Sequence, residues 1–127
     1  MSHVSYPIAK DTPVSHLPFS PAVRVGDLIF VSGQASVDAT GKIVSDTFDG
    51  EFRRSVENLR KVLETAGSDL KHVIQTRNYV RDAANVPRYN ELYREYFSAP
   101  FPTRTTITNC LPPTLHYEIE CVAVAKA

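Results

Sequence analysis

Apolar and polar positions along this chain fall into a few recognisable patterns. Ala22-Val23-Arg24-Val25 alternates, Gly26-Asp27 can turn, and Leu28-Ile29-Phe30-Val31-Ser32 runs apolar. Together they predict a β-hairpin whose second strand ends at Gly33-Gln34. Asp38-Ala39-Thr40-Gly41 reads as a turn and Lys42-Ile43-Val44 as a short strand. In residues 47–66, Phe48, Phe52, Val56, Leu59 and Leu63 recur at spacings of four and three, which predicts one apolar stripe on a helix. Asp46 is the expected N-cap of that helix and Gly67 the expected C′ residue. His72-Val73-Ile74-Gln75-Thr76-Arg77-Asn78-Tyr79-Val80 predicts a long strand.

Residues 86–97 predict a second helix, with Asn85 as cap, Pro87 in its first turn, and Tyr89, Leu92, Tyr93 and Phe97 towards one face. Pro100 and Pro102 stop it. Phe101-Pro102-Thr103-Arg104-Thr105-Thr106-Ile107-Thr108 follows, rich in β-favouring residues. After a turn containing Pro112-Pro113, the run from Leu115 to Val124 predicts the last strand. Pro7, Pro13, Pro18 and Pro21 make residues 1–21 an irregular lead-in. The order is β-β-(β)-α-β-α-β-β. Right-handed crossovers put both helices on one face of a single mixed sheet. The other face is then left uncovered, with apolar residues on it, and such a face predicts self-association.

Composition narrows the classes of function. The 127 residues suit one domain, 1–127, with a real core. Lys+Arg and Asp+Glu balance at 14 each, so no basic field attracts nucleic acid. No stretch approaches a membrane span, and Met1-Ser2-His3-Val4 does not open like a signal peptide, so a cytoplasmic protein is expected. His3, His16, His72 and His116 are scattered and Cys110 and Cys121 lack ligand spacing, so no metal site is expected. With 5 glycines there is no phosphate-cradling loop, and no cofactor is implied.

Two places carry candidate chemistry. Arg104 lies in mid-strand, and its planar fork suits a carboxylate, although an exposed or ion-paired cation would read the same way. In the last strand His116, Glu118 and Glu120 share one face, and Tyr117, Ile119 and Cys121 the other. An enclosed carboxylate there would hold its proton to higher pH and could pass it near neutrality. Spacing does not choose between Glu118 and Glu120. Cys121, on the apolar side, reads as a buried small hydrophobe.

Nearly the whole chain resembles the Rid (YjgF) family of enamine/imine deaminases. The resemblance rests on the run from Val25 to Gln34, Asn58-Leu59 through Ala66-Gly67, Tyr89-Asn90-Glu91-Leu92-Tyr93, Phe101-Pro102-Thr103-Arg104, Leu111-Pro112 and Glu118-Ile119-Glu120, in order and at matching spacing. It implies a chorismate-mutase-like α+β fold and a homotrimer whose three sheets line an inner barrel, with a site at each subunit interface. It implies a 2-iminobutanoate/2-iminopropanoate deaminase-like hydrolase that turns 2-enamino or 2-imino acids, such as 2-aminoacrylate, into 2-keto acid and ammonia.

Arg104 matches the arginine that binds the substrate carboxylate. Glu118 matches the water-activating glutamate, given a one-residue deletion between Ile107 and Leu111. Asn90 matches a site-lining asparagine, and Ser32-Gly33 a loop whose backbone approaches the ligand. Two positions depart from the pattern. Phe19 stands where the family often has Tyr, and Thr106 where it often has Cys. These departures keep open a pathway-specific deaminase of an aminomuconate-like compound. A non-catalytic carboxylate-metabolite-binding protein is a third reading. Relatives are also labelled ribonucleases, against which the balanced charge argues.

Overall fold

The computed structural model describes residues 3–8 and 16–127. Pro13, expected to break the lead-in, lies outside the described residues. The elements run β1 (Val4–Ser5), β2 (Ala22–Val25), β3 (Leu28–Ala35), α1 (Phe48–Ala66), β4 (Val73–Val80), α2 (Val86–Tyr96), β5 (Thr103–Thr108) and β6 (Tyr117–Val124). They form one six-stranded sheet in the order β1-β2-β3-β6-β4-β5. Among the described strands only β4 and β5 pair in parallel. β6 runs antiparallel between β3 and β4, so each helix links two parallel strands.

The expected stripe makes α1: Phe52, Val56, Leu59 and Leu63 are fully buried and Phe48 nearly so. They meet Ile29 and Val31 of β3, Val80 of β4, and Tyr117, Ile119 and Ala123 of β6 in one core that also holds Tyr89 and Leu92 of α2. Each such side chain contributes about 2 kcal/mol of burial. Both helices therefore cover the same face of the sheet.

The ends of α1 are set by local chemistry. Its N-cap is Thr47 rather than Asp46: the Thr47 hydroxyl accepts from Gly50 N–H at 3.1 Å, while Asp46 caps only the Thr47 N–H and pairs with Arg54. Gly67 closes the helix at φ 94°, a left-handed conformation that glycine adopts freely. The last turn holds no basic residue; Arg24 of β2 supplies the cation, donating to Ala66 O at 2.8 Å.

Several boundaries differ from the sequence reading. Val4–Ser5, in the lead-in expected to be irregular, forms β1 on β2, and β5 and β6 start two residues later than expected, at Thr103 and Tyr117. β3 continues past Gly33-Gln34 to Ala35, because a bulge between Val31 and Gln34 absorbs the irregular residues and pairing with β6 resumes. Residues 42–44 make only an isolated bridge, Val37 with Ile43, and no strand. α2 stops at Tyr96; a short 3₁₀ turn, Ala83–Asn85, precedes it and is capped by Asp82, so Asn85 makes no side-chain cap.

Glu51, in the first turns of α1, is fully buried and ionisable. Its carboxylate accepts from His116 N–H (2.8 Å), His116 Nδ1 (2.8 Å) and Asp46 N–H (3.1 Å). It ties the entry of β6 to the start of α1. His116 precedes β6 and turns to Glu51, so it does not join Glu118 and Glu120. Glu51→Ala strands these donors and is expected to cost about 3 kcal/mol in urea unfolding. A loss below about 1 kcal/mol would show that water takes the carboxylate's place.

Candidate functional site

Strand pairing decides on which face each candidate stands. Thr76 of β4 pairs with Cys121 of β6 and with Arg104 of β5, and Asn78 pairs with Ile119 and Thr106. Thr76, Asn78, Ile119 and Cys121 are buried beneath the helices. Arg104 and Thr106 therefore stand on the helix-covered side. Glu118 pairs with Tyr79 and Glu120 with Arg77, one residue out of phase and hence on the uncovered face.

Arg104 lies on a bed of two tyrosines from α2. Its guanidinium carbon is 4.8 Å from the Tyr89 ring centroid and 4.9 Å from that of Tyr93. The spacing of four residues puts both rings on one side of the helix. Both hydroxyls are pinned. Tyr89 OH bonds Thr106 Oγ1 at 2.8 Å, and Tyr93 OH bonds Thr76 Oγ1 at 2.7 Å. Thr76 in turn accepts from Asn78 Nδ2, and Asn78 Oδ1 accepts from the buried Tyr117 OH. Burial pushes the Tyr89 hydroxyl up to about 12, against the opposing pull of Thr106 and Arg104, and it raises Tyr93 as well. The rings therefore stay neutral beside the cation. No carboxylate lies within 4 Å of Arg104 among the described residues. The guanidinium lines an open cavity of about 230 Å³ together with Asn90, Tyr93, Arg94, Phe101 and Pro102.

Glu118 has the opposite character. Burial, and then the charge of Glu120, raise its pKa. It accepts no hydrogen bond from any described residue, whereas Glu120 accepts from Tyr79 OH at 2.5 Å. That bond helps to push the Tyr79 hydroxyl up to about 12. Of the two glutamates that spacing could not separate, Glu118 is the one that no described side chain or backbone group hydrogen-bonds, while Tyr79 takes up one oxygen of Glu120. Gly33, at the β3 bulge, makes room for it: a β carbon at that position would overlap the Glu118 carboxylate.

The predicted residues thus divide into two groups. Arg104, Thr106 and Asn90 gather at the β5 edge, under and beside α2. Gly33 and Glu118 meet on the uncovered side of β3 and β6. Ser32 donates its hydroxyl to Ser20 O at 2.6 Å and so ties down the segment carrying Phe19, which is exposed. Along β6, Glu118 is three residues from the row that holds Arg104, roughly 10 Å, and two strands across from it. Within one chain Arg104 and Glu118 do not face a common pocket. Sequence reasoning missed the tyrosine bed, although the Tyr89–Tyr93 spacing held the signal, and it missed Arg94 at the cavity wall. No cluster of His, Cys, Asp and Glu among the described residues could hold a metal ion.

Known proteins resemble this chain in sequence and fold. The family profile described as Endoribonuclease L-PSP matches residues 9–125. A 2-iminobutanoate/2-iminopropanoate deaminase of Dermatophagoides farinae is 30% identical over 125 residues, covering 97% of this chain and 95% of its own length. A RutC family protein of Pyrococcus abyssi is 36% identical over 108 residues, covering 84% and 85%. The crystal structure of E. coli TdcF with bound serine superposes with a TM-score of 0.85 at 28% identity, covering 96% of this chain and 99% of that one. With its mixed sheet, its two helices on one face and these matches along nearly its whole length, the chain belongs to the Rid (YjgF) family.

Proposed function

We propose that this protein hydrolyses 2-imino acids, the tautomers of 2-enamino acids such as 2-aminoacrylate, to 2-keto acids and ammonia. The observation that carries this reading is Arg104: a cation with no acid beside it among the described residues, held on two neutral rings at the wall of a small cavity. A site built this way suits a small carboxylate. The deaminase name of the Dermatophagoides farinae relative and the serine bound to TdcF support the same ligand class.

Arg104 pairs with the substrate carboxylate through its fork and fixes the imine carbon. Glu118, its carboxylate free and its pKa raised, takes a proton from water as the oxygen adds to that carbon. The product is a carbinolamine. Glu118 passes that proton to the nitrogen, then takes the hydroxyl proton of the carbinolamine and delivers it to the same nitrogen; the C–N bond breaks as the carbonyl forms and ammonia leaves, so that one water is consumed for each ammonia released. Thr106 and Asn90 stand beside Arg104, Gly33 lies against Glu118, and Ser32 of the same strand holds the segment that carries Phe19. Because the two groups lie on different faces of one chain, the working site joins Arg104 of one copy to Glu118 of another. The uncovered face, with Leu28, Phe30 and Ile107 exposed, supports a homotrimer packed sheet to sheet and needing no further partner, with the sites between subunits.

Imines made in the assay by a dehydratase acting on serine or threonine provide the test. Arg104→Ala is expected to lower kcat/KM about 10²-fold, and Arg104→Lys less, since lysine keeps the charge but loses the fork. Glu118→Gln is expected to lower kcat by about 10²–10⁴-fold while keto-acid binding measured by calorimetry persists. Wild-type protein that binds keto acids tightly without hastening their release from imines would instead be a metabolite-binding protein.

The raised pKa of Glu118 also makes a stability prediction. The folded chain holds this proton more tightly than the unfolded chain does, so stability is lost as pH rises through the folded pKa. Glu118→Gln removes that loss. In urea titrations the variant is expected to exceed wild type near neutral pH, with the gap closing below about pH 4. A gap independent of pH would show that Glu118 is not desolvated.

A further inference from the structure

The cavity beside Arg104 holds a second arginine that the proposed hydrolysis does not use. Arg53 pairs with Glu95, Arg54 with Asp46, Arg60 with Glu57 and Glu64, and Arg88 with Asp49 and Glu91. Arg24 and Arg81 spend their guanidinium donors on backbone carbonyls. Arg94 does neither. Its one bond, to Asn90 O a turn earlier on α2, is 3.5 Å long, at the limit of such contacts. No carboxylate lies within 4 Å of it among the described residues, and it lines the same cavity as Arg104.

Two cations round one small concavity repel each other unless anionic charge sits between them. Each brings a fork of donors suited to a carboxylate. The same cavity is lined by Phe101, half exposed, and Pro102, which offer apolar surface to a short carbon chain. From this we infer that Arg94 is a specificity residue and that the site favours 2-imino acids bearing a second carboxylate. Arg104 takes the carboxylate next to the imine, and Arg94 takes the distal one. This rests on the reading of the Arg104 cavity as the substrate site.

The pair of probes is 2-oxoglutarate and 2-oxobutanoate, keto acids with and without the second carboxylate, titrated by calorimetry. In parallel, the corresponding imines are generated by amino-acid oxidases and their hydrolysis followed. Wild type is expected to bind 2-oxoglutarate at least about 10-fold more tightly, the worth of one charge-assisted pair. Arg94→Ala is expected to lower that preference about 10- to 100-fold, Arg94→Glu to reverse it, and Arg60→Ala, which removes a cation elsewhere on the surface, to leave it in place. A wild type without preference, or a preference that survives Arg94→Ala, overturns the inference. The two readings fail separately. If no imine is turned over, the hydrolytic reading falls while the calorimetric preference still decides the role of Arg94. If imines are turned over with no dependence on Arg94, only the specificity role falls.

Discussion

A strand sends successive side chains to opposite faces of its sheet, and in this protein helices cover only one of those faces. Everything at the candidate site follows from that constraint. Residues in phase with Ile119 and Cys121 go under α1 and α2; those in phase with Glu118 and Glu120 go to the bare side. Arg104 is in the first set through its pairing with Thr76. Glu118 is in the second. A slip of one residue in either strand would exchange the two sets and bury charge in the core, so the register is held by the same hydrophobic pattern that makes the fold.

The two faces give their charges different surroundings. Under α2, Arg104 rests on two rings: the Tyr93 hydroxyl is fixed by a buried chain of hydrogen bonds through Thr76, Asn78 and Tyr117, and the Tyr89 hydroxyl by Thr106. That chain is part of the core, so the guanidinium is positioned by buried, hydrogen-bonded side chains. On the bare face, Glu118 sits against Gly33 with no hydrogen-bond donor to it among the described residues, next to a neighbour, Glu120, one oxygen of which accepts from Tyr79. One side offers a positioned cation for an anion, and the other a carboxylate ready to exchange a proton. Each is half of what imine hydrolysis requires.

Much of this was legible in the sequence. The stripe from Phe48 to Leu63 and the hairpin around Gly26 announce themselves because each is a local, periodic pattern. The uncovered face followed from connectivity alone. The mutual position of Arg104 and Glu118 was not legible, because it depends on β6 inserting between β3 and β4, a long-range pairing that no local pattern records. The bulge that carries β3 on to Ala35 and seats Gly33 against Glu118 was hidden for the same reason. His116 fits the alternation of β6 by spacing, yet the buried Glu51, 65 residues earlier, draws it away. A polar residue in the first turns of a helix reads as a solvated one until its partner is known.

The central claim is that Arg104 and Glu118 serve one site from two different copies of the chain. Mixing tests it directly. Arg104→Ala and Glu118→Gln proteins, each inactive alone, are unfolded together, refolded and assayed for imine hydrolysis. If the site is shared, subunits with an intact arginine meet subunits with an intact glutamate, and activity returns to about a quarter of wild type for random assembly. If the mixture stays as inactive as its components while assembling normally, the two residues do not act together across copies and the account is wrong.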